Sequence, residues 1–242
     1  MSRPHINLYI STSPNGQITG KYGTKQSKKV FKSLGFSDDP NVGFNFDGWI
    51  YGRNTATWFS KNKKPDLNQA ATVPDGDYVI NQGKERYYIS IDRHGNVGWP
   101  TNTAKYGKQT ASIIEIITEQ VTPAYRDFLR RRNIPYLICG KENIDFKLML
   151  DKLSKNYHLK NLMLGGGGIL NWTFLDQGLI DEINLVIAPG TDGNPDTARL
   201  FNSQFSNNPH QIDFKLLDVK VMSGDTLWVR YKPIHPTPKE EK

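Results

Sequence analysis

Short strand-length runs of apolar residues alternate along this chain with longer segments that carry a helical spacing. Ile6–Ile10 (Ile-Asn-Leu-Tyr-Ile) alternates apolar and polar side chains, the period of a strand with one face more buried than the other. Lys25–Leu34 suits a short helix. Gly48–Tyr51 reads as a second strand, and Arg53–Phe59 as a helix with Asn54 or Thr55 near its cap. Tyr87–Asp92 is rich in β-formers and stops at a turn, His94-Gly95-Asn96. Ile113–Thr118 is a β-branched strand, after which Thr122-Pro123 opens a helix to Arg132 with threonine as the cap. A strand at Tyr136–Cys139, a helix over Phe146–Asn156 and a strand at Asn161–Leu164 repeat the pattern. The helix predicted over Ile169–Gln177 ends at Gly178, a residue suited to the position just past a helix, and Glu182–Ala188 is again a strand.

Strand and helix alternating in this way predict an α/β fold of three layers, with a mixed, mostly parallel central sheet and helices on both faces. The end of the chain differs: Phe214–Met222 and Thr226–Tyr231 flank Ser223-Gly224-Asp225, the pattern of a C-terminal antiparallel hairpin. Nothing marks a second domain, so residues 1–235 are expected to form one, followed by a loose polar tail over 236–242. Residues 61–84 and 190–211 look like loop insertions, of a length that usually signals function or mobility.

Composition narrows the class. Hydrophobic residues make up 37% of the chain, enough for a proper core. The N-terminus lacks the basic start and long apolar stretch of a signal peptide, and no run approaches the roughly 18 apolar residues of a membrane span. The lone cysteine, Cys139, excludes an internal disulfide and lies in an apolar run, where it reads as a small buried hydrophobe. A cytoplasmic protein without membrane contact is expected. The net charge of +7 either steers an anionic ligand such as a phosphorylated cofactor or aids solubility. Its clusters, Lys61-Asn-Lys-Lys64 and Arg130–Arg132, are short and come with no recognition module, so nucleic acid is not an expected partner. The five histidines have no ligand spacing, so no metal site is expected. Asp181-Glu182 reads as a helix-to-strand junction and Trp172 as core or dimer packing.

The most informative segment is Leu164-Gly-Gly-Gly-Gly-Ile169, four glycines between a predicted strand and a predicted helix. Glycine lets a backbone approach a ligand closely, and a helix start offers free N–H groups and a positive dipole end, so a pyrophosphate is a natural occupant. A tight turn with no ligand is the other reading. The run matches neither the Gly-x-Gly-x-x-Gly fingerprint nor a P-loop, and it falls late in the chain, which disfavours a conventional Rossmann domain.

From Gly165 to Pro189 the chain resembles the C-terminal reductase domain of the bifunctional riboflavin-biosynthesis deaminase–reductase, in the dihydrofolate reductase-like superfamily. Pro4–Gly16, Ile50-Tyr-Gly-Arg-Asn-Thr55 and Tyr88–Asp92 resemble further pieces of that domain in the right order. No zinc-ligand motif of a deaminase is present. The resemblance implies NADPH as cofactor. It implies hydride transfer to the ribose C1 of a ribosylaminopyrimidine phosphate, opening the sugar to a ribityl chain. It also implies a small, phosphorylated substrate and a homodimer.

By the same resemblance, the cofactor meets Ser11 and Thr12 at the end of the first strand, Gly52 and Thr55 at the second, and Gly166, Gly167, Gly168, Ile169 and Leu170 at the glycine run. Arg93 falls near the 2′-phosphate, where it would favour NADPH over NADH, or is an ordinary solvated turn residue. Asn15, Lys25 and Gly165 fall on the substrate side. Two of these depart from the family: Asn15 replaces an aspartate and Gly165 a glutamate. Those losses keep open a protein that binds NADP(H) without catalysis, while the catalytic residue itself is unknown. Gly52-Arg-Asn-Thr-Ala-Thr-Trp58 echoes dihydrofolate reductase itself, but Gly20–Lys29 is basic where that enzyme carries an acid.

Overall fold

The computed structural model describes residues 3–37, 43–68, 71–80, 86–206 and 209–234. Its elements in chain order are β1 (His5–Thr12), α1 (Lys25–Gly35), β2 (Gly48–Gly52), α2 (Arg53–Phe59), β3 (Tyr87–Ile91), β4 (Thr103–Tyr106), β5 (Gln109–Ile117), α3 (Pro123–Arg130), β6 (Tyr136–Ile138), α4 (Phe146–Tyr157), β7 (Asn161–Leu164), α5 (Gly168–Asp176), β8 (Glu182–Ile187), β9 (Asp213–Met222) and β10 (Thr226–Ile234). They divide into two compact units, residues 1–4 with 46–162, and residues 5–45 with 163–242.

In the first unit β2, β3 and β5 run parallel side by side, with Ile50 opposite Ile89 and Ile89 opposite Ile114. β4 lies antiparallel against the first half of β5, and β6 parallel against its second half. Every residue of β3 is buried, which explains its unbroken β-rich sequence. The core gathers Trp49, Tyr88, Ile114, Leu129, Leu137 and Leu150. Thr122 caps α3 by accepting from the Tyr125 amide, Pro123 opens the first turn, and Asp145 caps α4 through the Leu148 amide. Asp47 accepts from the amides of Lys160 and Asn161, fixing the start of β7.

In the second unit β1 and β8 pair in parallel, and β10 joins β8 to β9 in antiparallel register. The β9–β10 turn places Gly224 at φ +66° and Asp225 at φ +56°, the left-handed pair a tight hairpin needs. α1 is capped by Thr24 and seats on β1, where the Tyr9 hydroxyl donates to the Phe31 carbonyl at 2.6 Å. Gly35 lies against the Tyr9 ring so closely that a Cβ would come within 2.2 Å of it.

The α/β class, the mixed and mostly parallel pairing and the C-terminal hairpin agree with the sequence reading. Three local expectations change. β1 is not exposed on one face: Asn7 is 4% exposed, and its carbonyl oxygen accepts from Asn184 of β8 at 3.0 Å, so a polar residue sits inside because a polar neighbour answers it. The cap of α2 is Gly52, with no side-chain bond, rather than Asn54 or Thr55. β4 forms a hairpin with β5 that the pattern did not mark. The expected tail over 236–242 lies outside the described residues, as do parts of the 61–84 and 190–211 insertions.

Candidate functional site

Within the second unit, Met163 and Leu164 are buried and deliver the chain to the glycine run. Gly166 takes φ +95°, the Gly166–Gly167 peptide is cis, and Gly167 caps α5 in an extended conformation. Because that cap has no side chain, no capping side chain serves the N–H groups at the start of α5 (Gly168, Ile169, Leu170), at the positive end of the helix dipole. A Cβ on Gly167 would have nothing within 4 Å, so the space before the helix is open. A Cβ on Gly168, by contrast, would fall 2.2 Å from the Arg199 carbonyl oxygen. An open cradle of backbone donors fits the diphosphate of a dinucleotide.

The segment Ala198–Asn202 is laced to this turn. Asn202 N–H donates to the Gly168 carbonyl at 3.0 Å, and the buried Asn171 amide donates to the Leu200 carbonyl at 2.8 Å. Asn171 Oδ1, also buried, accepts from no group. The same segment bonds the loop after β1: Ile18 N–H to the Ala198 carbonyl and Leu200 N–H to the Gly16 carbonyl, both at 2.8 Å, around a Gln17–Arg199 bridge. Ile10 also packs near Gly166. Ser11, Thr12 and Asn15 lie at the end of β1 and in the loop that the Ala198–Asn202 segment ties to the glycine run, and Lys25 follows at the exposed start of α1.

Asn15 is exposed but its carbonyl oxygen is occupied, accepting from Ser13 Oγ at 2.6 Å, with Thr191 Oγ1 3.2 Å away. Tyr22 donates to the Ser11 carbonyl at 2.9 Å, and burial pushes its phenol above the ordinary tyrosine range. Tyr22, Gln17 and Thr191 are not among the residues the sequence nominates for the site. Only the polar character of the 190–211 insertion hinted at the last contact.

In the first unit Gly52 and Thr55 lie at the β2–α2 junction and Arg93 just beyond β3. Gly52 sits opposite Ile91, so both positions belong to the carboxyl edge of parallel strands, where α/β sheets bind ligands. The exposed Arg93 is engaged: its guanidinium donates to Asn143 Oδ1 at 2.6 Å and to the His94 ring at 3.0 Å. Beneath it Asp92 is fully buried and receives the amides of Asn96 and Val97. Glu115, also buried, accepts from Trp99 Nε1 at 2.6 Å and Ser90 Oγ at 3.0 Å. Burial first, and the Asp92 carboxylate second, push Glu115 well above the ordinary carboxyl range. Cys139 is buried and raised to about 12, an inert thiol. A cavity of about 510 Å³ in the second unit is lined by Ile169, Trp172, Thr173, Phe205 and His210; one of about 570 Å³ in the first contains none of the predicted residues. Among the described residues no group of three or more His, Cys, Asp or Glu could hold a metal, and no helix is long and apolar enough to cross a membrane.

Residues 77–228, well over half the chain, match the RibD C-terminal domain family. The chain belongs to that family. The 2,5-diamino-6-ribosylamino-4(3H)-pyrimidinone 5′-phosphate reductase of Aquifex aeolicus is 20% identical to this chain over 206 residues, covering 84% of this chain and 85% of its own. The reductase of the same name from Methanothermobacter thermautotrophicus is 32% identical over 88 residues, covering 36% of this chain and 40% of its own. Among solved structures, a pyrimidine reductase-like protein from Corynebacterium diphtheriae shares the fold with a TM-score of 0.64 at 15% identity, over 96% of this chain and 93% of its own. As a member of a family of reductases this domain is an oxidoreductase, and such a family implies a nicotinamide cofactor.

Proposed function

We propose that this RibD C-terminal domain is an NADPH-dependent reductase of a ribosylaminopyrimidine 5′-phosphate, working as one cytoplasmic domain over residues 1–235. The observation that carries the reading is the glycine turn, whose uncapped helix start and open face at Gly167 suit the cofactor's diphosphate. The names of the two relatives supply the substrate class. A bound reduced nicotinamide would supply a hydride to the sugar C1, with the C1–O4′ bond broken and the released ring oxygen taking a proton from solvent.

The chain's own residues bind, orient and shield. The amides of Gly168–Leu170 hold the diphosphate, and the end of β1 at Ser11 and Thr12 meets the reacting end. By the family resemblance Gly52 and Thr55 are further cofactor-binding positions. Arg93, steadied by Asn143 and His94, contributes a cation for the 2′-phosphate, the basis for preferring NADPH to NADH. Lys25 and the basic stretch around it draw in the substrate phosphate. Asn15, its carbonyl oxygen taken by Ser13, presents its amide N–H₂ to the substrate at the position where the family resemblance implies an aspartate. Gly165 leaves room at the position where the family resemblance implies a glutamate. The exposed apolar residues of β9 support a homodimer.

The test is titration with NADPH and NADH, followed by turnover of the ribosylaminopyrimidine phosphate at saturating cofactor. Selective NADPH binding with oxidation that depends on that substrate is the expected result. No binding of either nucleotide at millimolar concentration overturns it.

A further inference from the structure

Gln17 is the most heavily committed polar side chain near the glycine turn, although it touches none of the glycines. It is 2% exposed. Its amide nitrogen lies 2.8 Å from Asp192 Oδ1, 2.9 Å from Thr197 Oγ1 and 3.2 Å from the Asn194 carbonyl oxygen. Its carbonyl oxygen accepts from Thr191 Oγ1 at 3.0 Å. Asp192 is fixed in turn by the amides of Lys21 and Asn194. One buried amide thus gathers residues 191–197, an otherwise exposed stretch with no helix or strand of its own. Such a stretch has little apolar burial to order it, so its conformation rests on these bonds.

The stretch runs directly into Ala198–Asn202, the strap that supports the glycine turn. The Arg199 carbonyl oxygen packs on Gly168, the Leu200 carbonyl holds Asn171, and the Asn202 amide caps the Gly168 carbonyl. Moving the strap would move the first turn of α5 and the N–H groups it presents.

We infer that Gln17 is a positioning residue: by fixing residues 191–197 it sets the strap, and through the strap the geometry of the diphosphate-binding turn. The inference rests on the cofactor reading above. It places cofactor affinity partly under the control of a side chain on the opposite strand's loop, with no contact to cofactor required.

The experiment measures NADPH affinity, KM and kcat, and amide hydrogen exchange, in the full chain. Gln17→Leu keeps the bulk and removes every polar contact. NADPH binding should weaken about tenfold or more, as expected for the loss of several buried hydrogen bonds at a geometry-sensitive site. The loss should appear in KM for NADPH more than in kcat. Exchange should quicken at the Leu200 and Asn202 amides while those of β3 and β5 keep their protection. Gln17→Glu, which sets a carboxylate against Asp192, should do the same, and adding Asp192→Asn should restore affinity. If Gln17→Leu does not fold, Thr197→Val removes one partner and should show a smaller loss of the same kind. A parent that binds NADPH, with variants that bind and exchange as it does, overturns this inference alone. A parent that binds no nicotinamide nucleotide overturns the cofactor reading and this inference with it.

Discussion

Gly167 and Gly168 are neighbours with opposite reasons for being glycine. At Gly167 the backbone is extended (φ −77°, ψ −168°) and a Cβ meets nothing, so the fold does not demand glycine there. Gly167→Val should leave the unfolding temperature close to that of the parent and abolish nucleotide binding, because its methyls would fill the open cradle. At Gly168 a Cβ collides with backbone, so Gly168→Ala should lower stability by about 2 kcal/mol, in the range of overpacked cores, and loosen the strap as well. Thermal unfolding alongside NADPH titration separates the two; equal loss of stability in both variants would reduce the glycines to a tight turn. Glu115 supplies a residue-scale prediction about pH. Its carboxyl is raised above the unfolded value, so the neutral form is the one the fold favours. That contribution is complete below the unfolded value near 4.5 and is lost progressively as pH climbs toward the folded value. Glu115→Gln keeps an acceptor for Trp99, lets the Ser90 hydroxyl turn to accept from the new amide, and should flatten the fall in stability above the ordinary carboxyl range. Denaturant unfolding across pH checks it; parallel curves for parent and variant would count against a buried neutral carboxyl. The glycines were legible in sequence because four in a row between strand and helix have few uses. Gln17 was not, since its partners lie some 175 residues away and nothing local distinguishes it from a solvated loop amide.

Elements with a strong local signature were legible nearly to their ends. α3 announced itself through Thr122-Pro123, and the structure shows that hydroxyl accepting from Tyr125 N–H. Thr122→Ala should therefore cost about 1 kcal/mol, read from the denaturation midpoint at unchanged slope. A null effect would mean that tertiary packing of Tyr125 and Phe128, both buried, holds the helix start without its cap. β4 lacked such a signature. Of Thr103–Tyr106 only Ala104 is buried, so its strand character comes from pairing with the extended start of β5 and not from a hydrophobic pattern. The same cause hid the first residues of β5, Gln109–Ser112, since the sequence pattern begins that strand only at Ile113. β1 misled in the other direction: alternation implied one face less buried than the other, yet Asn7 is buried because Asn184 satisfies it from the neighbouring strand. Polarity reports exposure only when no partner is waiting across the sheet. The departures Asn15 and Gly165 were legible as substitutions, but that Ser13 holds the Asn15 amide by its oxygen depends on a turn geometry no pattern encodes.

For the molecule as a whole, the strand β9 decides the expected assembly. It ends the strand order and pairs only with β10 among the described residues, leaving one edge of backbone donors and acceptors open. Leu216 (52% exposed), Val219 (52%) and Val221 (80%) leave an apolar surface on this strand, and Leu217 (43%) stands unpaired at the register shift opposite Arg230 and Tyr231. A second copy of the chain is the self-complementary partner such a strand suits, with about 1,600 Å² to be buried in total for a stable pair. Sedimentation at micromolar concentration should show a dimer. Val219→Lys with Val221→Lys should give a monomer of unchanged unfolding behaviour, since both side chains are already exposed. Salt supplies the sign that discriminates between kinds of interface. Each copy carries +7, so association works against like-charge repulsion that salt screens. A dimer held by β9 should tighten as salt rises, whereas one held by ion pairs should loosen, and a parent that stays monomeric at any salt would leave β9 without a partner of its own kind.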